Sequence, residues 1–195
     1  MTISSPPKLY LALVHHPVRN KFGETIASAV TNLDLHDMAR ASKTFGLAGF
    51  FVVTPVSDQK EMVERIVRHW TQGPAGEINP DRKEALSLIE ITESLDEAIN
   101  LIQEHSGQTP LVAVTDAGSG PERKNVEFVN TVLESGRPVV LVFGTAWGLS
   151  REVMDKADAV LSPITGAGDY NHLSVRSAVA IYLDRLINAH TRLTC

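Results

Sequence analysis

Pro138–Ser150 reads PVVLVFGTAWGLS: an apolar run from Pro138 to Phe143, then a loop carrying Gly144, Thr145, Trp147 and Gly148. A run that is apolar at every position, not at alternate ones, predicts a central parallel strand with both faces covered. Upstream, Glu122 to Ser135 repeats apolar residues at Val126, Val129, Val132 and Leu133 and stops at Gly136, the pattern of a helix feeding that strand. Pro110 to Thr115 (PLVAVT) is a strand before it. Downstream come a short helix near Ser150 to Lys156, a last strand over Asp158 to Leu161, and a long helix with Val175, Ala178, Val179, Tyr182, Leu183, Leu186 and Ile187 on one stripe.

The N-terminal half repeats the alternation. Leu9 to Val14 and Gly49 to Val53 are strands flanking a helix from Asn32 to Phe45 that Gly46 stops. Ser57 and Asp58 are expected to cap a helix with Met62, Val63, Ile66, Val67 and Trp70 on its inner face. Gly73 to Pro80 reads as a loop, Leu86 to Ile91 as a strand, and Ser94-Leu95-Asp96-Glu97 as a capping box. Six strands alternating with helices predict an α/β fold, a mostly parallel six-stranded sheet with helices on both faces. With 195 residues and 43% hydrophobic side chains the chain is expected to form a single domain over residues 1–195, residues 1–7 being a tail.

A net charge of −5 gives no global field for nucleic acid, although a local patch is compatible with it. The single cysteine, Cys195, excludes an internal disulfide framework. The opening MTISSPPKLYLALVHHP lacks signal-peptide architecture and no run approaches the length that spans a bilayer, so a cytoplasmic protein with no membrane partner is expected. Neither G-x-G-x-x-G nor a phosphate loop is present, and cysteine pairs or an H-E-x-x-H helix for a metal are absent too.

In such folds ligands sit at the carboxyl ends of the strands. Glycines collect there after three consecutive strands: Thr115-Asp116-Ala117-Gly118-Ser119-Gly120, Phe143-Gly144-Thr145-Ala146-Trp147-Gly148, and Ser162-Pro163-Ile164-Thr165-Gly166-Ala167-Gly168. Glycine lets a ligand approach the main chain closely. Together with Tyr170-Asn171-His172-Leu173-Ser174, which run straight into the last helix, these loops form one candidate cleft of backbone donors and acceptors. His15, His16 and Asn20 follow the first strand and could contact RNA or line that cleft; Lys8, Arg19, Lys21, Arg40 and Lys43 either gather into a basic patch or stand as scattered solvated charges.

LVFGTAWGLS followed by LSPITGAGDYNHLSVRSAVAIYLDRL resembles the second and third motifs of the SPOUT superfamily, knotted S-adenosylmethionine-dependent RNA methyltransferases. TNLDLHDMARASKTFGLAGFFVVTP resembles the first, with Asn32, Arg40, Phe45 and Gly46 in its marked places. The resemblance runs from about Leu9 to Leu186 and is nearest to small stand-alone bacterial proteins related to tRNA (guanine-N1)-methyltransferase fusions. It implies a C-terminal deep trefoil knot, an obligate homodimer, S-adenosyl-L-methionine as cofactor and tRNA or rRNA as substrate. Under it Gly144 and Gly148 shape the loop around the methionine and ribose of the cofactor, Ile164 and Leu173 offer backbone groups to its adenine, and Trp147 walls the site or the dimer seam. Tyr170 to Ser174 become the final cofactor loop, with Asn-His-Leu-Ser where the superfamily has Ser-Leu-Asn.

The same resemblance makes Arg40 the candidate for binding a phosphate and helping to activate a ribose hydroxyl, phosphate binding being the better match to an arginine that stays protonated. His172 is either a hydrogen-bonded structural histidine or a proton acceptor, and Asp169 either a surface carboxylate or the acceptor of a proton from a base nitrogen. Arg19, Asn20, Lys21 and Asn32 join Arg40 as candidate RNA contacts. Two other functions compete: a catalytically silent SPOUT dimer serving as sensor or partner of another RNA enzyme, and a flavodoxin-like nucleotide-binding module.

Overall fold

The computed structural model describes residues 8–192, with side chains described as far as residue 188. The expected tail 1–7 and Cys195 lie outside the described residues. Strand β1 (Leu9–Val14) is buried along its whole length. After it come a short hairpin of β2 (Val18–Arg19) and β3 (Thr25–Ile26), helix α1 (Asn32–Thr44), β4 (Gly49–Val53) and α2 (Ser57–Thr71). Next are α3 (Ala75–Ile78), α4 (Pro80–Leu86), β5 (Ile89–Thr92), α5 (Leu95–Ser106) and β6 (Leu111–Val114). The chain continues through α6 (Val126–Glu134), β7 (Val139–Gly144), α7 (Arg151–Asp155), β8 (Ala159–Val160) and α8 (Val175–Arg192).

The main sheet has the order β5-β4-β1-β7-β6-β8 and every pairing in it is parallel. Leu11 sits opposite Phe50 of β4 on one side and Leu141 of β7 on the other, so β1 is enclosed, and β7 is the central strand that its unbroken apolar run predicts. Alternate residues feed two cores. Leu11, Leu13, Phe50, Val52, Leu141 and Phe143 pack beneath α1, α2, α4, α6 and α8, while Tyr10, Ala12, Phe51, Val140 and Val142 meet α5, α7 and the β2–β3 hairpin. From β1 the chain builds outward through β4 to β5, then crosses to β6 and returns to β7 beside β1. The crevice between the ends of β1 and β7 is therefore the topological switch point, where open α/β sheets bind their ligands.

Caps explain most helix starts. Thr31, Ser94, Asn125 and Ser150 each accept a hydrogen bond from a backbone N–H three residues on, and Gly46 and Gly136 leave their helices at φ of 71° and 84°. Several expected boundaries differ. Ser57 and Asp58 lie inside the first turn of α2, whose N-cap is Val56 without a side-chain bond, and Met62 is exposed. Gly73 to Pro80 is not a plain loop, because Pro74 is the N-cap of α3 and Pro80 opens α4, helix-start positions where proline's missing N–H costs nothing; Asn79 caps α4 through Arg82 N at 3.0 Å. Leu86 consequently ends a helix and the third sheet strand begins only at Ile89. Helix α6 starts at Val126, with residues 116–125 irregular before it, and no helix among the described residues is long and apolar enough to cross a membrane.

Candidate functional site

At the end of β7 the backbone turns sharply. A Cβ on Gly144 would lie 2.6 Å from Leu149 N and 2.9 Å from the Gly148 carbonyl carbon, so only glycine fits. Ala146 and Gly148 adopt φ of 53° and 95°, and Gly148 N–H closes the loop on the Thr145 carbonyl at 2.9 Å. Phe143, before the turn, is buried edge-on to Tyr182, whereas Trp147 at the loop's crest is 63% exposed. Thr145 donates its hydroxyl to the Val14 carbonyl at 3.1 Å and pairs with Ser28 Oγ, which in turn meets His15 Nδ1 at 3.1 Å. The ends of β1 and β7 are thereby stitched together. His15 is fully buried, and burial outweighs the nearby Asp34 charge to pull its pKa down to about 4, so it is a neutral internal histidine and not an RNA contact.

The loops after β6 and β8 lock onto each other. Thr115 is buried and spends both its N–H and its hydroxyl on the Val142 carbonyl, at 3.0 and 3.2 Å. Asp116 caps the Gly118 N–H and pairs with Arg123 at 3.1 Å, and Arg123 reaches on to the Leu161 carbonyl at 3.3 Å. Lys124 N–H donates to Val160 O while its carbonyl accepts from Ser162 N–H, at 2.9 and 2.8 Å. From α8, Tyr182 donates its hydroxyl to the Ser162 carbonyl at 2.7 Å; burial pushes its pKa up to about 12.

Among the described residues the backbone of 163–173 makes no hydrogen bond to other backbone. Pro163 and Ile164 are half-buried, Ile164 against the core, whereas Gly168, Asp169, Tyr170, His172 and Leu173 are exposed. Tyr170 stands edge-on to His172, ring centroids 5.3 Å apart. Asn171 ties this stretch to the β6 loop by donating to the Ala117 carbonyl at 3.0 Å. Ser174 Oγ accepts from Ser177 N–H at 3.3 Å, capping α8, and Arg176 pairs with Asp34 at 3.1 Å and Asp37 at 3.4 Å on α1. The polar residues crowded at the start of α8 thus serve the fold first: Asn171, Ser174 and Arg176 are engaged internally.

Arg40 is elsewhere. With Asn32, His36, Asp37, Met62 and Trp70 it lines an open groove of about 790 Å³ between α1, α2 and α4, and no residue of the glycine loops lines that groove. Nor do the cations of the first quarter form one patch. Lys8, at the opposite end of β1, donates to Ser106 O, and Lys43 pairs with Glu84 at 2.6 Å. Asn20 is a turn former: its Oδ1 accepts from Phe22 and Glu24 N–H, at 2.8 and 3.0 Å, and its amide reaches Glu24. Arg19 remains beside the β7 loop, because Arg19 N–H donates to Gly148 O at 2.8 Å and Trp147 N–H donates to Arg19 O at 3.0 Å, and Lys21 lies two residues on, over the Phe22 ring in the hairpin turn. Sequence reading missed Ser28, Phe22 and the internal role of His15. The last could have been read as a continuation of the first strand, which is buried on both faces, since His15 N–H continues the ladder to Val53 O at 2.9 Å.

A family model described as SAM-dependent RNA methyltransferase matches residues 8–188. The chain belongs to this SAM-dependent RNA methyltransferase family. A tRNA (guanine-N(1)-)-methyltransferase of Oleidesulfovibrio alaskensis is 45% identical over 179 residues, covering 92% of this chain and 42% of that protein. The chain therefore spans less than half the length of that curated relative. Among solved structures, the SpoU methyltransferase AviRb from Streptomyces viridochromogenes superposes with a TM-score of 0.62 at 15% identity, covering 97% of this chain and 63% of that one. TrmJ from Z. mobilis ZM4 gives 0.61 at 17% identity, with 96% and 71% covered. At those identities the likeness is one of fold: this family member has the α/β-knot fold of the SpoU class.

Proposed function

We propose that this chain methylates RNA with S-adenosyl-L-methionine as methyl donor, that tRNA is the substrate, and that the working unit is a homodimer. One observation carries the reading. In a chain of this family, the loops after β6, β7 and β8 emerge at one end of the sheet, with the backbone of 163–173 unspent on internal backbone bonds. The residues fit the cofactor: exposed Trp147 and Leu173 and half-buried Ile164 offer apolar surface for an adenine ring, and the open backbone offers donors and acceptors for its edge. The turn at Gly144 and Gly148 keeps main chain, not side chain, facing the site.

The cofactor supplies a methyl group on a positively charged sulfonium. The protein's part is alignment and water exclusion, with a base where the RNA nucleophile must lose a proton. Trp147 and Leu173 exclude water, the backbone of 163–173 holds the donor in orientation, and Asp169 or His172, both exposed on the final loop, takes the proton. Arg40 binds a substrate phosphate. Because no residue of the glycine loops lines its groove, it serves a site completed by a second copy. The tRNA assignment follows the name of the Oleidesulfovibrio relative. Mass spectrometry of nucleosides from strains with and without the gene tests the whole reading: one methylated nucleoside should vanish from tRNA in the deletion strain. Identical nucleoside profiles in tRNA and rRNA would overturn it in favour of a catalytically silent cofactor-binding dimer.

A further inference from the structure

We propose that the β2–β3 hairpin is an RNA-holding arm in which the Phe22 ring stacks on an unpaired nucleobase and Arg19 and Lys21 take the flanking phosphates; this rests on the RNA-methyltransferase reading above. Phe22 is 75% exposed, yet its backbone is tightly fixed. Asn20 accepts from the N–H groups of Phe22 and Glu24, Gly23 N–H returns to Asn20 O at 3.0 Å, and Gly23 sits at φ 82°. Below that turn Val18 pairs with Ile26 and Arg19 with Thr25. A rigid turn that holds a phenyl ring out in water adds nothing to the core. A lone exposed apolar residue is ordinary, however, and what surrounds this one matters more.

Two features point to nucleic acid. Lys21 Nζ lies 4.9 Å from the centre of the Phe22 ring, and the side chain of Arg19 lies against the β7 loop, its Nη2 3.5 Å from where a Cβ on Gly148 would be. Among the described residues neither cation pairs with a carboxylate, and Arg19 Nε is buried without a hydrogen-bond partner. The nearest acid in the hairpin, Glu24, accepts from the Asn20 amide at 2.8 Å. On a chain of net charge −5, an aromatic ring flanked by two unneutralised cations matches a base with its phosphates better than an apolar protein face. The arm is also joined to the candidate cofactor loop. Arg19 and Gly148, Trp147 and Arg19, and Ser150 and Pro17 share backbone hydrogen bonds of 2.8, 3.0 and 3.1 Å, and Val18 bridges Leu149. A nucleotide held on the arm is therefore held at a fixed offset from the loop that carries Trp147.

The test is fluorescence anisotropy with fluorescein-labelled unmodified tRNA and, for comparison, a blunt RNA duplex without unpaired bases, alongside calorimetric titration with S-adenosylmethionine. Phe22→Ala should weaken tRNA binding roughly tenfold while duplex binding, cofactor heat and melting temperature stay put. Phe22→Trp should restore the affinity, and Lys21→Ala should flatten the salt dependence by roughly 0.7 of a logarithmic unit for each phosphate it no longer neutralises. Unchanged tRNA affinity in Phe22→Ala, an equal loss on the duplex, or a change in self-association in its place would overturn the arm. Cofactor binding with no Phe22 effect sinks the arm alone. A Phe22 effect without cofactor binding sinks the methyltransferase reading and keeps the arm, and a parent protein that binds neither ligand sinks both.

Discussion

Replacing Gly144 by alanine asks most of the β7 turn. The added methyl would lie 2.6 Å from Leu149 N, 2.9 Å from the Gly148 carbonyl carbon and 3.0 Å from Leu149 Cγ. Two of these are backbone atoms that cannot swing aside. They are pinned by the bonds from Gly148 to Thr145, from Arg19 to Gly148 and from Ser150 to Pro17, so the whole turn must move. Overpacking of this kind costs about 1–3 kcal/mol. For a chain of this size that is a fall in Tm of about 2–12 °C. Since the shifted turn is the proposed cofactor wall, affinity for S-adenosylmethionine should drop by at least about tenfold. Gly166→Ala is the matched control: its methyl meets nothing within 4 Å and its backbone is not left-handed. Scanning calorimetry and calorimetric titration of both variants decide the matter. A Gly144→Ala protein with the parent's Tm and affinity, or a Gly166→Ala protein equally damaged in Tm, would refute the reasoning.

Three further outcomes follow from the same geometry. His15, held to about 4, binds no proton in the fold where the unfolded chain takes one below pH 6.5; stability should drain as pH falls from about 6.5 to 4, by about 3 kcal/mol in total, and His15→Gln should flatten that slope in urea titrations. Tyr182→Phe removes the bond to the Ser162 carbonyl and should cost about 1 kcal/mol at neutral pH, while sparing the variant the loss of stability that the parent suffers as pH rises from 10 towards about 12. Arg40→Ala should leave cofactor binding and Tm unchanged, because no residue of the glycine loops lines its groove, yet lower methyl transfer to RNA by at least about tenfold; equal rates would remove Arg40 from the site.

What could be read from sequence was what a single chain segment encodes. The unbroken apolar run of β7 announces enclosure on both faces, and Gly46 and Gly136 mark helix ends because their left-handed backbone is rare for other residues. The boundaries around 73–91 failed because Pro74 and Pro80 read as breakers when they are starters. The two-residue strands β2 and β3 are too short to have a period at all. At the candidate site, the glycine loops and the unusual head of α8 stood out as composition. The division of labour within that head did not: Asn171 meets Ala117 54 residues away, and Arg176 meets Asp34 142 residues away. Such pairings depend on how β8 and α8 return beside β6 and α1, and nothing local in YNHLSVR carries that information.

The most direct measurement is transfer of tritiated methyl from S-adenosylmethionine to unmodified tRNA transcripts by the purified protein, followed by nucleoside digestion to identify the product. The proposed methyl transfer places label in a single tRNA nucleoside, lost on heating the protein and inhibited by S-adenosylhomocysteine. Folded protein that binds the cofactor yet leaves both tRNA and rRNA unlabelled would contradict it.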